Sequence, residues 1–137
     1  MKLIESPFAK DIITVHQFDF GNLYILEDSF VSEINEGVNM DYDNLLELLN
    51  ALLIFSENKE EINYVSNRIN CYSLDLPAFQ KASKHFTLKA NVGCITYTNA
   101  SESLTRFQIS FLKCLNTTVF NSLEQAAQWF SKPAQLI

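Results

Sequence analysis

Glycine and proline are scarce in this chain, three residues of each among 137, and they never gather into a run. So few glycines leave little with which to build a backbone cradle for phosphate. No glycine-rich phosphate loop, G-x-S-x-G elbow or H-E-x-x-H pair occurs in the sequence. Ser/Gly-rich and Pro-rich stretches and internal repeats are missing too, so nothing marks a linker. The chain reads as a single domain over residues 1–137, with residues 1–11 as a candidate disordered N-terminal tail. Cys71, Cys94 and Cys114 are odd in number and form no C-x-x-C pair. They are expected to be reduced, mostly buried small hydrophobes, and neither a metal nor a cofactor is expected.

Positive charge is also sparse. Ten Lys and Arg stand against sixteen Asp and Glu, a net charge of −6, and the basic residues are scattered. Nucleic acid and anionic membrane surfaces are therefore excluded as expected partners. The longest apolar run, Ala51 to Phe55, is far shorter than the roughly 20 residues of a membrane span. Met1 to Lys10 lacks the apolar core of about 7–15 residues that a signal peptide carries. A cytoplasmic protein without membrane insertion is the expectation.

What the chain does have is apolar and aromatic mass: 47% hydrophobic residues, including eleven Phe, five Tyr and one Trp. That content supports a core without metals or disulfides. Helical spacing assigns Phe107, Phe111, Trp129 and Phe130 to that core; left exposed, they would form a dimer patch or the mouth of an apolar pocket.

Periodicity gives the element order. Ile13–Phe18, Leu23–Leu26 and Phe30–Ile34 read as strands, with Gly21-Asn22 and Asp28-Ser29 as turns. Leu45, Leu48, Leu49, Leu52 and Leu53 then share one face of a helix capped by Asp41, with Met40 and Leu45 as its hydrophobic staple. Ile62–Ser66 is a strand, and Asp75 caps a second helix with Pro77 in its first turn. Ala90–Tyr97 is the most strand-like segment, and Thr98 to Glu102 leads into a helix over Ser103–Lys113. Thr117–Phe120 is a short strand. A last helix opens on the capping-box spacing Ser122 to Gln125, buries Leu123, Ala126, Ala127 and Phe130, and stops at Pro133. Alternating strand and helix predicts an α/β domain: a mixed, mostly parallel sheet, antiparallel strands at its N-terminal edge, and about four helices packed on it.

The β-rich start, the strand and turn from Phe30 to Gly37, the helix from Asp41, Val65-Ser66-Asn67-Arg68, and the closing Val119 to Ala126 resemble the STAS-like domains, which include the bacterial anti-sigma-factor antagonists. The resemblance covers about Ile13 to Lys132 and rests on element order. It implies a non-catalytic protein-interaction or regulatory module, with a protein partner or self-association. Related folds that bind lipids or other apolar ligands make a carrier or sensor of a small apolar or amphipathic, lipid-like molecule the alternative. The resemblance also places a phosphorylatable serine near Ser73, although the turn here lacks the family's glycine.

In open α/β sheets, ligands sit beyond the C-terminal ends of the parallel strands. That rule selects Asn67, Arg68, Asn70, Tyr72 and Ser73 after one strand, and Thr98, Asn99 and Ser101 after the next. The planar Arg68 guanidinium suits a carboxylate or phosphate; the plainer reading pairs it with Asp75 or Glu36. No catalytic residue is assigned, since His16 and His85 lack an evident orienting partner and an enzyme would need Arg68, Tyr72, Ser73 and a histidine together. Asn39 to Asp43 imitates the start of a calcium loop but has Asn44 and Asn50 where glycine and glutamate are required.

Overall fold

A computed structural model describes residues 1–57, 59–86, 88–111 and 116–130. Among the described residues six strands form the main sheet: β1 (Thr14–Phe18), β2 (Gly21–Ile25), β3 (Ser29–Ile34), β5 (Glu61–Asn67), β7 (Lys89–Ile95) and β8 (Asn116–Phe120). They lie in the order β1-β2-β3-β5-β7-β8. The first two ladders are antiparallel and the other three parallel, as the alternation implied. Between the parallel strands run α1 (Tyr42–Ser56), α2 (Leu76–Ser83) and α3 (Asn99–Ser110). A second, two-stranded parallel ladder pairs β4 (Asn39–Met40) with β6 (Ser73–Leu74).

Each helix starts where a side chain takes over an orphan backbone donor. Asp41 accepts from the Asn44 N–H at 2.9 Å, Asp75 from Ala78 at 3.1 Å, and Thr98 from Ser101 at 3.1 Å. Such caps contribute about 1 kcal/mol apiece. Thr98 therefore begins α3 four residues earlier than the apolar spacing suggested, because the Ser- and Asn-rich lead is itself helical.

The hairpin turn is Asp19-Phe20, not Gly21-Asn22. Gly21 is the first residue of β2 and takes φ 154°, where an added Cβ would strike the Glu33 carbonyl of β3. Its role is close strand approach, not chain reversal.

By the general rule that parallel crossovers are right-handed, three connections running the same way along the sheet put all three helices on one face, where α1, α2 and α3 line a common space. There Leu45, Leu48, Leu52, Ile62, Met40 and Ala82 join Phe20, Leu23, Phe30 and Ile34 in one core cluster. The chain ends cover the other face. Leu3, Tyr24, Leu26, Val31, Val65, Ile95, Phe120, Leu123, Ala126 and Phe130 form that second cluster.

Two expectations are corrected on this second face. Residues 1–11, the candidate tail, form 3-10 turns at Leu3–Glu5 and Pro7–Asp11, with Leu3 wholly buried. The buried Glu33 carboxylate fixes them by accepting the Leu3 N–H at 2.8 Å. The expected fourth α-helix does not form over the described residues from Ser122 to Phe130. The capping bonds form, Gln125 N–H to Ser122 Oγ at 3.2 Å and Asn121 N–H to Gln125 Oε1 at 2.7 Å. The turns that follow close from i to i+3, as short segments held by tertiary packing often do, ending in a 3-10 turn at Ala127–Trp129. Cys114, Lys113, Lys132 and Pro133 lie outside the described residues.

Leu3→Ala should lower stability by about 2–5 kcal/mol, read from the urea midpoint. A disordered tail would tolerate the change within about 0.5 kcal/mol.

Candidate functional site

The helical face is incompletely filled. Between the sheet and α1, α2 and α3 lies a largely apolar cavity of about 120 Å³. Its floor is Tyr64 and Ser66 of β5 and Ala90, Val92 and Cys94 of β7; its roof is Leu45, Leu48, Leu49 and Leu52 of α1 with Phe79 of α2. Arg68, Tyr72, Gln108 and Ile109 complete the walls.

Arg68 stands there because β5 ends at Asn67 and the next residue is drawn over β7, its N–H bonded to the Ile95 carbonyl at 3.0 Å. The β4–β6 ladder then folds the following loop back. Gly37 N–H reaches the Cys71 carbonyl at 2.8 Å and Ser73 N–H the Val38 carbonyl at 2.9 Å, which brings Tyr72 to the rim. Arg68 Nη1 donates to Gln108 Oε1 at 2.7 Å and to Thr105 Oγ1 at 3.1 Å. The guanidinium carbon lies 5.4 Å from the Tyr72 ring centroid, within cation–π range. The Tyr72 and Ser66 hydroxyls pair at 3.1 Å, and Tyr64 pairs with Ser32 at 2.5 Å.

Neither acid proposed as a plain partner for Arg68 reaches it. Glu36 accepts the Cys71 N–H at 2.7 Å, and Asp75 is committed to capping α2. Arg106 and Glu102, both on α3, form an ion pair at 3.5 Å, and among the described residues Arg68 has no carboxylate within pairing distance. Its Nε is shielded from solvent and unpartnered, a cost of about 1–3 kcal/mol. Burial pushes the Cys94 thiol up, while the adjacent Arg68 opposes that shift. The Tyr64 hydroxyl is likewise raised, first by burial and then by Tyr72.

The sequence-selected residues divide. Arg68 and Tyr72 line the cavity. Asn67, fully buried, faces the opposite side, where it donates to Glu33 Oε2 at 2.7 Å and to the Met1 carbonyl at 3.0 Å while accepting from Tyr97 Oη at 2.6 Å. Asn70 donates to the Ile34 carbonyl at 2.9 Å. Ser73 is exposed on β6, donating to Asn39 Oδ1 at 2.8 Å, while Asp75 occupies the helix cap. Thr98 caps α3, and Asn99 borders a separate polar depression with Thr96, Tyr97, Glu102 and Asn121. His16 packs edge-on against Phe18 and Phe55, and His85 is exposed after α2; neither lines the cavity. Cys71 is exposed, contrary to expectation, and Cys94 is buried.

Sequence reasoning missed Tyr64, Ser66, Cys94, Thr105 and Gln108. A signal existed on α3, whose buried residues are the polar pair Thr105 and Gln108, three apart, while Leu104, Phe107 and Phe111 are 48%, 59% and 49% exposed. A helix that turns polar groups inward is serving a polar partner, here Arg68.

The network around Tyr97 has a pH signature. Burial first, then Glu33 and Glu124, push its hydroxyl from near 10 up to about 12. The folded state therefore holds a proton that the unfolded state has released, and stability falls as pH rises from about 10 to about 12. Thermal midpoints should decline through this window, less steeply in Tyr97→Phe; Tyr64 and Tyr24, also raised, supply the remaining slope.

No helix among the described residues is long and apolar enough to cross a membrane. No protein-family model matches the chain, and neither a curated protein nor a solved structure matches it.

Proposed function

We propose that the protein is a non-catalytic carrier or sensor that takes a small apolar or amphipathic molecule into the cavity beneath α1, α2 and α3. The observation that carries this reading is the cavity. Protein interiors are close-packed, with few voids larger than a water molecule. At about 24 cal/mol per Å³, a void of about 120 Å³ forfeits about 3 kcal/mol if nothing fills it. Apolar cavities of about 150 Å³ stay dry and take up benzene. The volume suits a ring or short chain. Ligand-bound protein should melt several degrees higher in a screen of small cyclic and short-chain compounds. Val92→Phe, which fills the space from β7, should abolish those shifts while keeping a cooperative transition. Shifts that persist in a folded Val92→Phe protein, or a wild type unresponsive to the whole screen, would remove the carrier reading.

A second reading, a STAS-like interaction or regulatory module, is favoured by Leu104, Phe107 and Phe111 on the outer side of α3, with the Phe107 and Phe111 rings in edge contact at 5.0 Å. The element order supports the STAS-like kinship, and an exposed Ser73 would be open to phosphorylation. If this surface mediates self-association, sedimentation will show a concentration-dependent dimer that Phe107→Asp dissociates. A monomer at every concentration would argue against self-association.

A further inference from the structure

The carrier reading leaves the chemistry of the ligand open, and Arg68 narrows it. Building on that reading, we infer that the occupant is a small monocarboxylic acid, its ring or short chain in the cavity and its carboxylate on the Arg68 guanidinium.

Three observations converge on this. The first is an unbalanced charge: Arg68 lines an apolar cavity with no carboxylate within pairing distance among the described residues. The nearby acids are engaged elsewhere, Glu36 with the Cys71 N–H and Asp75 with the start of α2, while Glu33 serves the opposite face of the sheet. The Cys94 thiol beside Arg68 is a weak acceptor and leaves the cation unneutralised.

The second is an unused donor on a fixed fork. Thr105 and Gln108 hold Nη1, and the guanidinium carbon lies 5.4 Å from the Tyr72 ring centroid, so the group is positioned before any ligand arrives. Nε, shielded from water, has no oxygen or nitrogen partner, and only the weakly accepting Cys94 thiol stands beside the guanidinium. A guanidinium with one edge engaged and a donor left over suits the two oxygens of a carboxylate. The paired Ser66 and Tyr72 hydroxyls, where floor meets wall, offer further hydrogen bonds.

The third is what the cavity does not offer. One cation matches one negative charge, whereas a phosphate ester brings nearly two. The phosphate-binding devices, a glycine-rich loop and a lysine beside it, have no counterpart in this lining. The volume sets the rest of the molecule at roughly a six-membered ring or a chain of similar bulk.

The test compares acid with neutral isostere on the unaltered protein. Isothermal titration with cyclohexanecarboxylate and cyclohexanecarboxamide, and with hexanoate and hexanamide, should show each acid binding at least about tenfold tighter than its amide. Arg68→Gln should erase that preference, acid and amide then binding equally within the same folded variant. Equal binding of acid and amide by the wild type would overturn the carboxylate assignment and leave the carrier reading standing. Tighter binding of phenyl phosphate than of benzoate would overturn it in favour of a phosphate. Binding of neither acid nor amide would overturn both.

Discussion

The handedness of the crossovers is the constraint from which the rest of this structure follows. β3, β5, β7 and β8 lie side by side in chain order, so every connection advances in one direction. Right-handed connections of that kind must leave α1, α2 and α3 on the same face. Two consequences follow. Among the described residues the opposite face carries no α-helix and is covered by the 3-10 turns near Leu3 and Ala127. The helical face, roofed by helices that the crossovers place one after another, closes over the sheet only as well as their facing side chains allow.

Both consequences are visible in single residues. On the far face Leu3 and Phe130, near opposite ends of the described chain, are each wholly buried, and Glu33 and Asn67 spend their polar groups tying the first residues to the strand ends. On the near face, α1 brings leucines and α3 brings Thr105 and Gln108, and the two chemistries meet at Arg68. The result is an apolar space with one cation on its wall, held by neutral hydrogen-bond partners. With Thr105 and Gln108 on the inner side of α3 beside Ile109, Leu104, Phe107 and Phe111 face out, so the site and the exposed Phe107–Phe111 pair are two sides of one choice of residues.

Much of this was legible in the residues. The apolar spacing and the caps at Asp41 and Asp75 located α1 and α2, and alternation gave the mixed sheet with its antiparallel edge. The strand-end rule reached Arg68 and Tyr72. It misplaced Asn67 because successive residues at a strand end face opposite sides, and only the sheet says which side holds the cavity. Local chemistry misled at Gly21, which serves close backbone approach, and at Ser122, whose capping bonds form without an α-helix to follow. Tyr64, Ser66 and Cys94 were invisible as site residues, because a floor shared by two parallel strands exists only once β5 and β7 are in register.

The most direct test of the account is methyl-resolved NMR during a titration with cyclohexane, which carries no head group and so probes the cavity alone. Resonances of Leu45, Leu48, Leu52 and Val92 should shift together and saturate, while those of Leu123, Val31 and Leu26 on the other face stay in place. Shifts spread over both faces, or confined to Leu104 on the outside of α3, would contradict a ligand cavity beneath the helices.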